Sequence, residues 1–126
     1  MIIFIQGIKK ANKAIIPIKK IIDIYKSKYK DGRFSEPEKL PEKVNSKNGS
    51  FDGVISPDGS YYILCVYGKE DSFGGTDLYI TFKKDKDNWT PLKNLGKTIN
   101  TKKHEGSAMI SPDGKYLFFA GYLISA

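Results

Sequence analysis

The tetrapeptide Ser-Pro-Asp-Gly occurs twice, each time between two apolar runs: "VISPDGSYYILCVYG" at 54–68 and "MISPDGKYLFFAG" at 109–121. Superposing the two turns gives a shift of 55, which also lays Asn45-Ser46 on Asn100-Thr101 and Leu40 on Leu95. A shift of 54 lays Asp23-Ile24-Tyr25 on Asp77-Leu78-Tyr79 and Pro37 on Pro91, so the extra residue is expected between Pro37 and Leu40. Self-similarity at such a period marks supersecondary units that stack or ring an axis, because one unit alone cannot bury its apolar faces. Few folds meet that demand.

Each unit reads as strands. Segments 51–56 and 106–111 lead into the turn, 61–67 and 115–120 leave it, and 22–28 and 77–83 form the next strand. An outer strand near 33–36 or 88–91 follows, with a proline-containing connection that suits an edge, where no ladder hydrogen bond is lost. Met1 to Gly7, "MIIFIQG", has the composition of a strand that follows the turn. The chain thus reads as the second half of one unit, a whole unit and the first half of another. In the turns, Ser56, Pro57, Asp58 and Gly59, and Ser111, Pro112, Asp113 and Gly114, are structural residues. Proline pre-sets φ, aspartate accepts backbone amides, and glycine takes the positive φ that restarts the strand.

The strand after the first turn fixes the packing. Residues 61, 63, 65 and 67 point to one face and 62, 64 and 66 to the other, and both sets are apolar or aromatic. A sheet with one wet face would alternate apolar with polar, so this one expects cover on both sides. Small antiparallel sheets packed face to face around an axis, as in a β-propeller, provide it.

Composition agrees with one globular, turn-rich β domain: 126 residues, 40% hydrophobic, with 12 Gly, 6 Pro, 8 Tyr and 7 Phe. The single cysteine, Cys65, forms no intrachain disulfide, and its mid-strand place reads as buried rather than nucleophilic. The net charge of +7 sits wholly within residues 1–33, and the rest of the chain is balanced. It therefore reads as a solvated Lys/Ile-rich segment, not as a nucleic-acid or membrane-binding surface. Residues 4, 8, 11, 15, 18 and 22 make a helical apolar stripe, which Pro17 would break. No secretory signal is visible, since the charges of "MIIFIQGIKK" follow its apolar run.

On "DIYKSKYKDGRFSEP", "SPDGSYYILCVYG", "GGTDLYI", "WTPLKNLG" and "INTKKHEGSAMISPDGKYLFFAG", the chain resembles the WD-repeat-like β-propeller family of bacterial proteins, related to the TolB propeller, over roughly residues 21–121. The resemblance implies an all-β fold of antiparallel four-stranded blades, a periplasmic, outer-membrane or secreted setting, and a non-enzymatic binding or scaffolding role toward a protein or small ligand. The division expected over 1–126 is an incomplete first blade at 1–50 with an irregular or helical insertion at 8–20, a complete blade at 51–105, and the start of the next at 106–126. Two blades fall short of the minimum of about four in a closed propeller. The chain accordingly reads as a fragment of a larger propeller, or as one that completes its ring by self-association over open blade faces. The alternative role is an accessory propeller of a peptidase or glycosidase whose catalytic part lies elsewhere.

No catalytic constellation and no metal or cofactor site emerges from the residues. Asp85, Asp87 and Asn88 in "KKDKDNW" lack the glycine and closing glutamate of a calcium loop, so a hairpin turn is expected. "SFGGT" lacks the lysine of a phosphate-binding loop. His104 and Glu105 are the only His–acid neighbours, without a Gly-x-Ser-x-Gly to make a triad. In related propellers a glutamate commonly takes the place of Glu105, with Ser50 there in the other copy. Glu105 and His104 are therefore the expected binding-surface residues, and Trp89 is expected to pack an outer strand.

Overall fold

The computed structural model describes residues 2–9 and 21–122, with side chains from 22 to 122. Three antiparallel sheets follow one another along the chain. The first holds β1 (Ile2–Lys9), β2 (Ile21–Lys30), β3 (Arg33–Phe34) and β4 (Glu38–Lys39). The middle sheet holds β5 (Ser50–Ile55), β6 (Tyr61–Tyr67), β7 (Thr76–Asp85), β8 (Asn88–Trp89) and β9 (Lys93–Asn94). The third holds β10 (His104–Ile110) and β11 (Leu117–Tyr122). The fold is all-β, with no helix among the described residues. Of the Lys/Ile-rich stretch at 8–20, Ile8 and Lys9 end β1, and the expected irregular or helical part at 10–20 lies outside the described residues.

The short strands β8 and β9 both pair with β7, on the edge that β6 leaves open, and β3 and β4 do the same along β2. Each pair is thus one outer strand interrupted in the middle. Pro91 falls in the interruption, where its missing N–H costs no ladder bond. Strand β5 opens at Ser50 and β10 at His104, so His104 and Glu105 belong to the third sheet, not to the end of the middle one.

The duplicated block is duplicated in hydrogen bonds. Asn45 Oδ1 accepts the amide of Ile24 at 2.7 Å while its Nδ2 donates to the Ile24 carbonyl at 3.1 Å. Asn100 clamps Leu78 in the same way, at 2.8 and 2.9 Å. Ser27 Oγ donates to the Ser35 carbonyl at 2.5 Å, and Thr81 Oγ1 to the Thr90 carbonyl at 2.6 Å. The buried Asp23 carboxylate meets Lys39 Nζ at 2.8 Å, and the buried Asp77 carboxylate meets Asn94 Nδ2 at 2.9 Å. These pairs place Ser35 on Thr90 and Lys39 on Asn94, a shift of 55 already reached before Pro37. The extra residue therefore sits in the β7–β8 hairpin, where the ladder slips between Lys83 and Asp85, and not between Pro37 and Leu40 as the prolines suggested. A bulge absorbs one residue without disturbing the strands on either side.

Both Ser-Pro-Asp-Gly turns close on the carbonyl of their serine. Gly59 and Gly114 donate to the carbonyls of Ser56 and Ser111 at 2.9 and 2.8 Å. The serine hydroxyls donate to Asp58 and Asp113 and accept the amides of Tyr61 and Tyr116. Before each turn the strand bulges, between Phe51 and Val54 in β5 and between Gly106 and Met109 in β10. Asp52 and Ser107 carry the bulges at φ 44° and 52°.

Packing follows the same repetition. Ile24, Leu40 and Val44 of the first unit meet Ile55, Tyr62, Leu64, Val66 and Tyr79 of the middle sheet. On the opposite face, Leu78, Leu95 and Ile99 meet Ile110 and Leu117 of the third sheet, joined by Ile63 and Cys65. Ile24, Leu40 and Val44 correspond to Leu78, Leu95 and Ile99, and Ile55 and Tyr62 to Ile110 and Leu117. These five positions meet in both interfaces, whereas Leu64 and Val66 have exposed counterparts in Phe119 and Gly121. The middle sheet is covered on both faces, as the two-sided apolar pattern of β6 requires.

Candidate functional site

At the start of β10, His104 and Glu105 come together with residues that are remote in sequence. Glu105 is 1% exposed, so its carboxylate lies beneath the surface rather than on it. Thr101 Oγ1 donates to Glu105 Oε1 at 2.5 Å, and Oε2 has no hydrogen-bond partner among the described residues. Thr76 Oγ1 donates to the Glu105 carbonyl at 3.1 Å and lies 3.3 Å from His104 Nδ1. With its proton given to that carbonyl, the threonine oxygen accepts from the imidazole, an assignment that puts hydrogen on Nδ1 and leaves Nε2 as the ring's acceptor. Tyr122 stacks on His104, with ring centroids 5.5 Å apart and planes 18° from parallel.

The "SFGGT" turn holds this cluster in place. A Cβ at Gly75 would meet His104 Cε1 at 1.9 Å, and one at Gly74 would meet the Lys103 carbonyl at 2.2 Å. The glycines are there because chain and ring pass too close for any side chain. Asp77 anchors the loop from below, accepting the amides of Phe73 at 2.7 Å and Gly74 at 3.2 Å. Thr76, Thr101 and Tyr122 were not expected as site residues; Thr101 entered only as the match to Ser46 in the repeat, and Thr76 lies just before the duplicated block.

The other expected residues take structural places. Asp58 and Asp113 are turn acceptors, and the serine hydroxyls, Ser60 first for Asp58, hold the Asp58 carboxyl down at about 2 and lower that of Asp113. Asp85, Asp87 and Asn88 make an exposed hairpin, from which Asp87 reaches across to pair with Lys26 of the first sheet. Trp89 is buried in the cluster between the first and middle sheets. Burial pushes the Cys65 thiol up to about 12, with the Asp52 carboxylate adding to it, so the group is no nucleophile. Among the described residues, no three His, Cys, Asp or Glu side chains gather as a metal set, and His104 meets no serine or cysteine.

A groove of about 1100 Å³ lies away from this cluster, along the seam of the first and middle sheets. Lys26, Lys28, Lys83 and Lys84 line it together with Asp58 and Asp85, so both charges face a visitor. Comparison with protein-family models, curated proteins and solved structures finds no match.

Proposed function

We propose that the chain is a non-enzymatic binding or scaffolding module made of consecutive blades of a WD-repeat-like, TolB-like β-propeller. The observation that carries the reading is the contact made twice from five corresponding positions. Units joined by one repeated contact follow one another by one repeated rotation, and such a rotation arranges small sheets around an axis. The inner strands β5 and β10 lie against each other, as strands nearest an axis do. The resemblance adds a cell-envelope or secreted setting and a partner that is a protein or a small ligand.

The His104–Tyr122 stack offers an aromatic surface and an imidazole acceptor, next in sequence to the buried Glu105, whose Oε2 takes no hydrogen bond among the described residues. That combination suits recognition of a polar segment bearing donors. Titration of an isotope-labelled sample with a panel of short peptides and oligosaccharides tests it. Saturable shifts of the His104, Glu105 and Tyr122 amides, with the added compound recovered intact, are expected. Hydrolysis of any panel member by the purified chain, abolished in Glu105→Gln, would overturn the non-enzymatic reading.

A further inference from the structure

Ile24 matches Leu78 and Ser27 matches Thr81, so the repeat lays Lys26 on Ile80 and Lys28 on Phe82. Ile80 packs into the cluster between the middle and third sheets. At the seam of the first and middle sheets the same two positions are lysines, and the Lys26 side chain is only 12% exposed. Packing does not call for that exchange, because an enclosed ammonium costs free energy that an isoleucine does not.

The opposite wall of the seam differs as well. The β7–β8 hairpin holds one residue more than the β2–β3 hairpin, and it brings Asp87 onto the Lys26 ammonium. Glu38 Oε2 stands 3.6 Å from the same nitrogen. The Asp87 carboxyl is lowered first by the Lys26 hydrogen bond and further by the charges of Lys26, Lys83 and Lys28, so cations of both sheets act on one exposed carboxylate. Beside it the groove of about 1100 Å³ is lined by Lys28, Lys83, Lys84 and Lys86, none with a carboxylate at ion-pair distance among the described residues. Asp58 already accepts the Ser56 and Ser60 hydroxyls and the Ser60 amide, which leaves Asp85 as the uncommitted acid of the lining.

We infer that this groove binds an acidic protein segment in extended form, its carboxylates on Lys28, Lys83 and Lys84 in the way that Asp87 meets Lys26. Two features of the lining favour a peptide over a nucleic acid. Asp85 stands among the lysines and would repel an unbroken run of phosphates, whereas a peptide spaces its carboxylates and brings backbone N–H donors between them. Trp89, the one ring in the lining, is 4% exposed and gives no face on which a base could stack. The groove lies away from the His104 cluster, and the inference stands whether or not that cluster binds a ligand.

Fluorescence anisotropy of a short labelled peptide of alternating Glu and Ser, titrated with the full chain at low ionic strength, tests it. Saturable binding is expected, lost when Gln replaces Glu in the peptide and weakened by added salt. Lys28→Gln combined with Lys83→Gln is expected to weaken binding about fivefold. Lys97→Gln, exposed and outside the groove, is expected to leave it unchanged. Lys26→Ile combined with Lys28→Phe, which copies the other seam, should keep the fold by circular dichroism and bind less tightly than wild type. Asp87→Asn, which releases Lys26, should bind more tightly. No binding by wild type, undiminished binding by the Lys28→Gln, Lys83→Gln variant, or tighter binding of an oligothymidylate of the same length would overturn the inference.

Discussion

Ile63 in the middle sheet and Phe118 in the third hold matching positions on matching strands, yet the first is sealed and the second faces solvent. The strands differ little in composition: β6 reads "YYILCVY" and β11 "LFFAGY". What separates them is the neighbour. The middle sheet has the first sheet on one face and the third on the other; the third has one partner among the described residues. Burial in such an array is thus a property of position in the series, and the strand sequence states only what cover it is suited to.

Truncation at corresponding sites should show the largest contrast. Ile63 is buried beneath the third sheet, and Ile63→Ala is expected to cost about 2–5 kcal/mol. Phe118 holds the corresponding place in the third sheet on its open face, so Phe118→Ala is expected to cost only about 1 kcal/mol despite the larger side chain. Urea denaturation of the two variants would measure the difference, and equal losses would break the comparison.

The bulges offer a sharper test. A Cβ at Gly53 would meet the Tyr62 hydroxyl at 2.2 Å, while Ala108 fits at the corresponding site opposite the shorter Leu117. Gly53→Ala is therefore expected to cost about 1–3 kcal/mol by overpacking. The double variant Gly53→Ala with Tyr62→Leu, which copies the third sheet, should lose less than the sum of its parts in a double-mutant cycle. Strict additivity would show that the two bulges are not built alike.

Next come the asparagine clamps. Asn45→Ala and Asn100→Ala each leave a buried backbone amide without its acceptor, while the carbonyls of Ile24 and Leu78 keep the amides of Leu40 and Leu95, and similar losses of about 1–3 kcal/mol are expected for both. A loss at one site alone would mean that the two copies carry different weight.

The smallest effect lies in the turns. The Asp58 carboxyl titrates at about 2 because the Ser60 and Ser56 hydroxyls and the Ser60 amide favour its charged form. A carboxyl lowered on folding stabilises the native state above its unfolded value near 3.8, and the contribution fades as pH falls from there toward 2. Carbon-13 titration of the side chain should place the midpoint near 2 in the wild type, moving up in Ser56→Ala. Asp113, whose carboxyl is lowered chiefly by Ser111, should respond in the same way to Ser111→Ala. A midpoint unmoved by either substitution would remove the serine from the turn's chemistry.

Much of this architecture was legible in the residues, and the limits have physical causes. The strands flanking Ser56–Gly59 and Ser111–Gly114 and the two-sided cover of β6 follow from periodicity and turn chemistry, which are local. The place of the extra residue was misread because Pro37 and Pro91 look alike, while the true match rides on Ser35 and Thr90, which are recognised only by the bonds they make. Asp52 and Ser107 carry no sign of a bulge, since aspartate and serine are common in any turn. The site was half legible: adjacency reveals His104 beside Glu105, but Thr76 and Tyr122 reach them across the fold.

Thiol labelling of single-cysteine variants at positions 62 to 66 tests the two-faced cover of the middle sheet most directly. With each rate normalised to that of the unfolded chain, native Cys65 and cysteines placed at 62, 63, 64 and 66 in a Cys65→Ala background should all be protected. Protection that alternates along the strand, one residue shielded and the next reactive, would mean one wet face and would contradict the stacked arrangement.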